Sequence, residues 1–310
     1  MNLDQLIRQI PGCFKGEYRL HEPMKYHTTW KIGGPADMVV FPRDIDDICC
    51  LVKLCIENNV PWYVVGIGSN LLVLDGGIRG VVIKIQETLN KCVWTQQGVE
   101  AEAGVFLPRL AKEAARRGLS GLEWSSGIPA SVGGAIAMNA GVGNNNFGSL
   151  VKKVEVVDGT GKVRWIEEKD LSFGYRHSIF LEKNNWIVTK AIISLVPGDK
   201  DESKNLIKEY LSKRHSSQPV EFPSAGSVFK NPAHDFAGRL IESVGGKGLR
   251  CGDAEVSLKH ANFIVNHGEA SAKDVLTIVD ELCKRVREKF NTQLEMEIRI
   301  IGDAQTPMGV

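Results

Sequence analysis

A lone hydroxyl, Ser227, sits in the glycine turn PSAGSVFKNP (223–232). A serine placed there either satisfies the turn or exchanges a proton. Two earlier stretches are also punctuated by glycine: VVGIGSNLLV (64–73), after an apolar run, and SGIPASVGGAIAMNAG (126–141), about sixty residues on. Backbone amides in tight turns form anion-binding hollows, so two such stretches suit the pyrophosphate of a large dinucleotide. The second stretch has two readings. Its small residues suit a helix start packed closely on a neighbour, since AIAM continues as an apolar helix. A turn running into a helix N-terminus also draws phosphate through free N–H groups and the helix dipole.

Other chemistries find less support. Gly66 and Gly68 follow a strand as in a Rossmann fingerprint, but Leu71 holds the third glycine position and no amphipathic helix follows. DGTGK (158–162) lacks the Ser or Thr that a phosphate loop places after its lysine, and reads as a hairpin turn. There is no H-E-x-x-H, no G-x-S-x-G and no paired-histidine spacing, so no metal site is expected. The seven cysteines are odd in number and lack C-x-x-C spacing, which predicts reduced, mostly buried thiols.

The elements that must position these residues follow from periodicity and composition. A chain of 310 residues holds two or three domains, and a net charge of +1 gives no general pull toward nucleic acid or membrane. The N-terminus lacks the pattern of a signal peptide, and no run reaches the ~20 apolar residues of a membrane span. A helical lead-in is expected over the first 25 or so residues, then a strand at 36–41 and a helix behind Asp44 with Ile45, Ile48, Val52, Cys55 and Ile56 at helical spacing. WYVV and 80–85 read as strands, 91–95 and 99–103 as a hairpin, and 107–117 as a helix ended by Gly118. Strands at 151–157 and 162–166 flank the DGTG turn. A strand at 187–196 and a charged helix at 201–214 follow, then a polar boundary at 216–222. Beyond lie helices near 236–243 and 271–289, the run NFIVN (262–266) and a closing strand at 294–302. Hairpins mixed with helices favour an α+β class over one doubly wound parallel sheet.

Taken in order, TTWKIGGPADMVVFP (28–42), VVGIGSNLLV, SGIPASVGGAIAMNAG, LSFGYRHS (171–178), KRHSSQP (213–219), PSAGSVFKNP, KHANFIVN (259–266) and LEMEIRIIG (294–302) resemble the UDP-N-acetylenolpyruvoylglucosamine reductases. The similarity spans about residues 20 to 302, and the spacing resembles the shorter subtype, which lacks a substrate-covering insertion. The resemblance implies a two-lobed FAD-binding fold of the vanillyl-alcohol-oxidase type plus a smaller C-terminal substrate domain. The expected bounds are 1–85 and 86–215 for the lobes and 216–310 for the substrate domain. It places FAD against Gly66, Ile67, Gly68, Ser69, Asn70 and Leu71, and against Gly127, Ile128, Pro129, Ala130, Ser131, Gly133 and Gly134, with Asn139 and Gly141 nearby. Neither stretch holds a His or Cys for covalent attachment, so dissociable FAD is expected.

The implied reaction is NADPH-driven reduction of an enolpyruvyl ether, on UDP-N-acetylglucosamine enolpyruvate, to the lactyl ether of UDP-N-acetylmuramate in peptidoglycan precursor synthesis. Three positions match the family's catalytic set. Arg176 grips the substrate carboxylate with a planar fork of donors. Glu297, at least partly protonated, shares a hydrogen bond with the developing enolate. Ser227 protonates carbon; so weak an acid suffices because a carbanion-like centre is strongly basic. Residue type alone leaves other roles open. Arg176 also reads as a surface ion-pair partner, Ser227 as a turn hydroxyl, and Glu297 as a solvated strand residue on one face with Glu295. Alignment on EIRIIG selects Glu297. Asn231 matches a substrate contact, while Arg214, Lys230 and Lys247 are either diphosphate ligands or ordinary surface charge. The family implies a cytoplasmic monomer. The alternatives are an FAD-linked oxidase of a sugar or alcohol on the same fold, and a flavin- or nucleotide-binding protein without turnover.

Overall fold

The computed structural model describes residues 1–85 and 88–304. The chain packs as two compact units. The first comprises Met1–Leu20, Met38–Ile67 and Gly80–Ser212; the second comprises His21–Asp37, Gly68–Arg79 and Lys213–Val310. The division falls inside the first glycine stretch, between Ile67 and Gly68. The expected lobe boundary at 85/86 abuts residues 86 and 87, which lie outside the described residues.

In the first unit, Asp44 caps the helix Ile45–Glu57 by accepting the Asp47 N–H, and Ile48, Leu51, Val52 and Cys55 turn into the core. The Asp47 carboxylate accepts N–H groups of Lys15 (2.8 Å) and Arg43 (2.7 Å), which fixes the chain entering the helix. The strand Trp62–Val65 pairs in parallel with Val81, Val82, Ile83 and Lys84. The sheet order is Glu17–Pro23, Pro35–Phe41, Ile78–Lys84, Trp62–Val65. A second, five-stranded sheet is antiparallel throughout, in the order Val163–Glu167, Val151–Val157, Ile187–Ser194, Gly98–Glu102, Cys92–Thr95. The helix Leu107–Arg116 buries Leu107, Leu110, Ala111, Ala114 and Ala115, and Gly118 follows it at φ 72°. Each buried leucine there contributes about 1.5–3 kcal/mol.

The second unit is organised by the helix Ala272–Phe290, whose Val275, Ile278, Leu282 and Val286 pack with Trp30, Leu72, Phe229, Leu240 and Ile264. Its start is closed twice. Ser271 and Asp274 form a capping box, and the Asp75 carboxylate accepts the N–H groups of Ala272 (2.8 Å) and Lys273 (3.0 Å). A three-stranded antiparallel sheet joins Arg250–Cys251, Ala254–Val256 and Ile264–Asn266. Leu71–Val73 pairs in parallel with Arg299–Ile301. The mixture of hairpins, parallel pairs and helices is the expected α+β class.

Four details differ from the sequence reading. The lead-in helix stops early, at Gln9 with a 3-10 turn to Gly12, because Pro11-Gly12 cannot continue it; the strand Glu17–Pro23 follows. That strand is exposed over most of its length, so no alternating pattern marked it. The helix expected to end at 214 runs on to Ser217, with Ser216 and Ser217 bonding back to the Lys213 carbonyl. The closing strand covers only Arg299–Ile301, because residues 295–298 bond to the serine turn instead. Cys13 and Cys50 form a disulfide, Cα atoms 6.1 Å apart, where reduced thiols were expected. Sequence spacing carries no trace of a pair that folding alone brings together.

Candidate active site

The first glycine stretch turns its carbonyls toward the protein. In the first unit the Gly66 carbonyl accepts from the Lys84 ammonium, a buried lysine ending a strand. In the second unit the Gly68 carbonyl accepts the Thr29 N–H (3.2 Å) and the Asn70 carbonyl accepts the Arg299 N–H (3.0 Å). Bound carbonyls are the polarity an anion hollow needs, since the amides are what an anion must meet. Gly68 has φ 76°, and a Cβ there would lie 2.3 Å from the His27 carbonyl oxygen. A Cβ on Gly66 would lie 2.4 Å from Ser131 Oγ, so within the first unit the two glycine stretches touch at this point.

The second stretch is wired differently. Ser131 caps the short helix Val132–Ala137 by accepting the Gly134 N–H. The Val132 N–H donates to Val105 (2.9 Å) and the Gly133 N–H to Ala103 (2.8 Å). These first-turn amides are therefore engaged, which corrects the expectation of free donors at this helix start. What the stretch offers a ligand is close approach: Gly134 sits in the helix with room for a methyl, its nearest neighbour being Ser131 Oγ at 3.4 Å. The residues fit an FAD molecule on these two grounds, inward carbonyls in one stretch and a bare helix surface in the other.

Arg176 lies at the tip of a tight turn closed by reciprocal bonds between Gly174 and His177. Its φ is 53°, a left-handed conformation costing about 1–3 kcal/mol in a non-glycine residue. The turn is overdetermined from one side. Asn139 donates to the Gly174 carbonyl (2.8 Å), accepts the Gly148 N–H (2.8 Å), and itself has φ 42°. The guanidinium donates to the Gly141 carbonyl (3.3 Å) and lies 5.3 Å over the exposed Tyr175 ring. Arg176, Asn139 and Gly141 are thus one cluster of the first unit.

Ser227 and Glu297 are brought together in the second. Asn262, 4% exposed, clamps the chain leaving the serine: its carbonyl accepts from Val228 (2.8 Å), and its amide both accepts from and donates to the Phe229 backbone (2.9 and 2.8 Å). The Val228 carbonyl in turn accepts the Glu297 N–H at 2.8 Å. Glu297 is half-buried beside this turn. Glu295 is exposed, with its carboxylate 3.5 Å from the Lys230 ammonium. The geometry therefore separates the two glutamates that the alternating pattern put on one face.

The basic candidates divide in the same way. Lys230 pairs with Glu295, and Lys247 pairs with Glu242 at 2.8 Å. Burial pulls the Arg214 guanidinium below its ordinary value. Asn231 accepts the Ala237 N–H at the start of the next helix. Asn262 and Lys84, which hold the serine turn and the first glycine stretch, were not singled out from the sequence. Asn262 lies in KHANFIVN, already part of the ordered pattern, whereas nothing local marks Lys84.

No helix among the described residues is long and apolar enough to cross a membrane. Residues 36–167 match the family model of the FAD binding domain, and 218–301 match that of the UDP-N-acetylenolpyruvoylglucosamine reductase, C-terminal domain. The reductase of that name from Clostridium novyi is 44% identical over 93% of this chain and 94% of its own. Its counterpart from Heliobacterium modesticaldum is 46% identical over 96% and 95%. The crystal structure of the Thermus caldophilus reductase superposes with a TM-score of 0.78 at 40% identity, covering 93% of this chain and 99% of that one. The fold is thus the expected α+β, FAD-binding one with a C-terminal domain. By these matches over nearly its whole length, the chain belongs to the UDP-N-acetylenolpyruvoylglucosamine reductase family.

Proposed function

We propose that this protein reduces UDP-N-acetylglucosamine enolpyruvate to UDP-N-acetylmuramate, using NADPH and dissociable FAD, as a cytoplasmic monomer supplying peptidoglycan precursors. The relatives' names support the substrate class. The observation that carries the chemistry is the 2.8 Å bond from the Glu297 N–H to the Val228 carbonyl, which sets a carboxyl group beside the serine turn. FAD, when bound, would supply the hydride-transfer chemistry between NADPH and the enolpyruvyl group. The stretches 66–71 and 127–134 hold it, with Asn139 and Gly141 nearby. The domains are those of the family: two lobes over 1–85 and 86–215, and a substrate module over 216–310.

Hydride arriving at the outer carbon leaves negative charge on the carbon bearing the carboxylate. The Arg176 guanidinium binds that carboxylate through two parallel donors and stabilises the charge as it spreads into it. The Ser227 hydroxyl gives its proton to the charged carbon, completing addition of one hydride and one proton across the double bond, and regains a proton from water. Glu297 shares a hydrogen bond with the developing enolate. Asn231 contacts the substrate, and Arg214, Lys230 and Lys247 are the cations available to the diphosphate.

The test is direct. The purified protein should be yellow, release its flavin on denaturation, and oxidise NADPH only when the enolpyruvyl sugar is present. Rapid consumption of oxygen with a sugar or alcohol in place of NADPH would instead assign an oxidase. Bound flavin without turnover of either kind would assign a binding protein.

A further inference from the structure

We propose that Asn70 positions Glu297, so that the first glycine stretch also sets the place of the carboxyl group used in the second half of the reaction. The inference rests on the assignment of Glu297 made above. The Asn70 side-chain amide donates to the Glu297 carbonyl oxygen at 3.1 Å, and the Asn70 carbonyl accepts the Arg299 N–H at 3.0 Å. One residue thus grips the segment 297–299 at two points, two residues apart. From the other direction the Glu297 N–H is held by the Val228 carbonyl at 2.8 Å. The two peptide groups of Glu297 are therefore fixed by the two segments that matter, one following the serine, the other belonging to the glycine stretch. Beyond this point the register is kept by regular pairing, Arg299 with Leu71, Ile300 with Leu72 and Ile301 with Val73. At Asn70 it depends on a side chain.

The chemistry of the contact asks for an amide. The acceptor is a carbonyl oxygen, so the partner must donate, and the backbone of Asn70 is already committed through its own carbonyl. Alanine removes this donor. Aspartate keeps the shape but sets a carboxylate oxygen against a carbonyl oxygen, which repels until the acid is protonated and becomes a donor itself. Displacement of a reacting group by about 1 Å costs on the order of 100-fold in rate. Asn70 is thus a positioning residue, acting through Glu297.

Holoenzyme variants N70A, N70D, E297Q and N70A/E297Q test this by rapid mixing, with flavin absorbance following reduction by NADPH and reoxidation by the enolpyruvyl sugar separately. Flavin spectra of the holoenzymes, and amide exchange over 295–299 in flavin-free protein, are recorded alongside. N70A should slow reoxidation about 10–100-fold, beyond whatever change in reduction by NADPH the loss of a flavin contact brings, and speed amide exchange over 295–299. In the E297Q background the N70A change should add no slowing of reoxidation beyond its effect on reduction, because the positioning role has nothing left to act on. N70D should be slow at neutral pH and recover, relative to wild type at each pH, as the medium is acidified. The proposal is overturned if E297Q slows reoxidation while N70A either does not, or multiplies the E297Q loss in full. If E297Q reoxidises like wild type, the assignment of Glu297 itself is wrong and this inference goes with it. If N70A does not fold, N70D decides: recovery in acid supports the role, and uniform slowing at every pH contradicts it.

Discussion

The two stretches are both punctuated by glycine and use it in opposite ways. In the first, glycine is demanded by the chain: Gly68 has a left-handed backbone, and a methyl there would meet the His27 carbonyl at 2.3 Å. In the second, Gly134 lies in a helix that tolerates a methyl, although glycine costs a helix about 1 kcal/mol relative to alanine. A glycine the fold does not need points to something that must come close. The DGTG turn makes a third case. Its Thr160 and Lys162 amides donate to Asp158 of the same turn (2.8 and 3.1 Å), so this phosphate-loop lookalike is filled by its own carboxylate. Glycine content alone does not report an anion site; the partners of the amides and carbonyls do.

Three substitutions sharpen the contrast. Gly68→Ala has the largest effect: it should destabilise the protein by roughly 3 kcal/mol through backbone strain and weaken FAD binding with it, measured by chemical denaturation of the flavin-free protein and flavin titration. Asp158→Asn comes next, at about 2 kcal/mol, the worth of hydrogen bonds to a charged group. Burial pushes the Asp158 acid up, but bonds from Thr160, Arg164 and Lys162 outweigh it and hold its ionisation below the ordinary range. A lowered folded-state value means the stabilisation is full above the unfolded-state value near pH 4 and fades as pH falls through the folded one. Wild type should therefore lose stability on acidification below about pH 4, and the variant should lose less over that interval. Equal acid slopes would remove Asp158 from the account. Gly134→Ala is the smallest. It should raise flavin-free stability by about 0.4–1 kcal/mol while weakening FAD binding. A gain in stability with flavin affinity untouched would make Gly134 a packing residue only.

Local pattern carried the elements whose partners lie nearby. The helix Leu107–Arg116 with its Gly118 stop, the hairpin around DGTG and the long helix ending at Phe290 were legible because their signals are spacing and capping within one segment. The site was legible only as an ordered pattern, since Arg176, Ser227 and Glu297 each have an ordinary structural role as well. What the sequence hid depends on distant partners. The segment before Arg299 reads as strand, yet bonds to Val228 and Asn70 instead of a continuous ladder. Asn262 acts as a substitute strand partner for the serine turn, a use that residue type does not announce. The left-handed backbone of Arg176 comes from Asn139, 37 positions earlier, and no neighbour in sequence foretells it.

The central claim is that the Ser227 hydroxyl delivers the proton to carbon. Rapid mixing of Ser227→Ala tests it most directly, with the two half-reactions followed separately through the flavin. Reduction by NADPH should proceed as in wild type, while reoxidation by the enolpyruvyl sugar should slow by about 10²–10⁴-fold. Reoxidation at the wild-type rate would contradict the account.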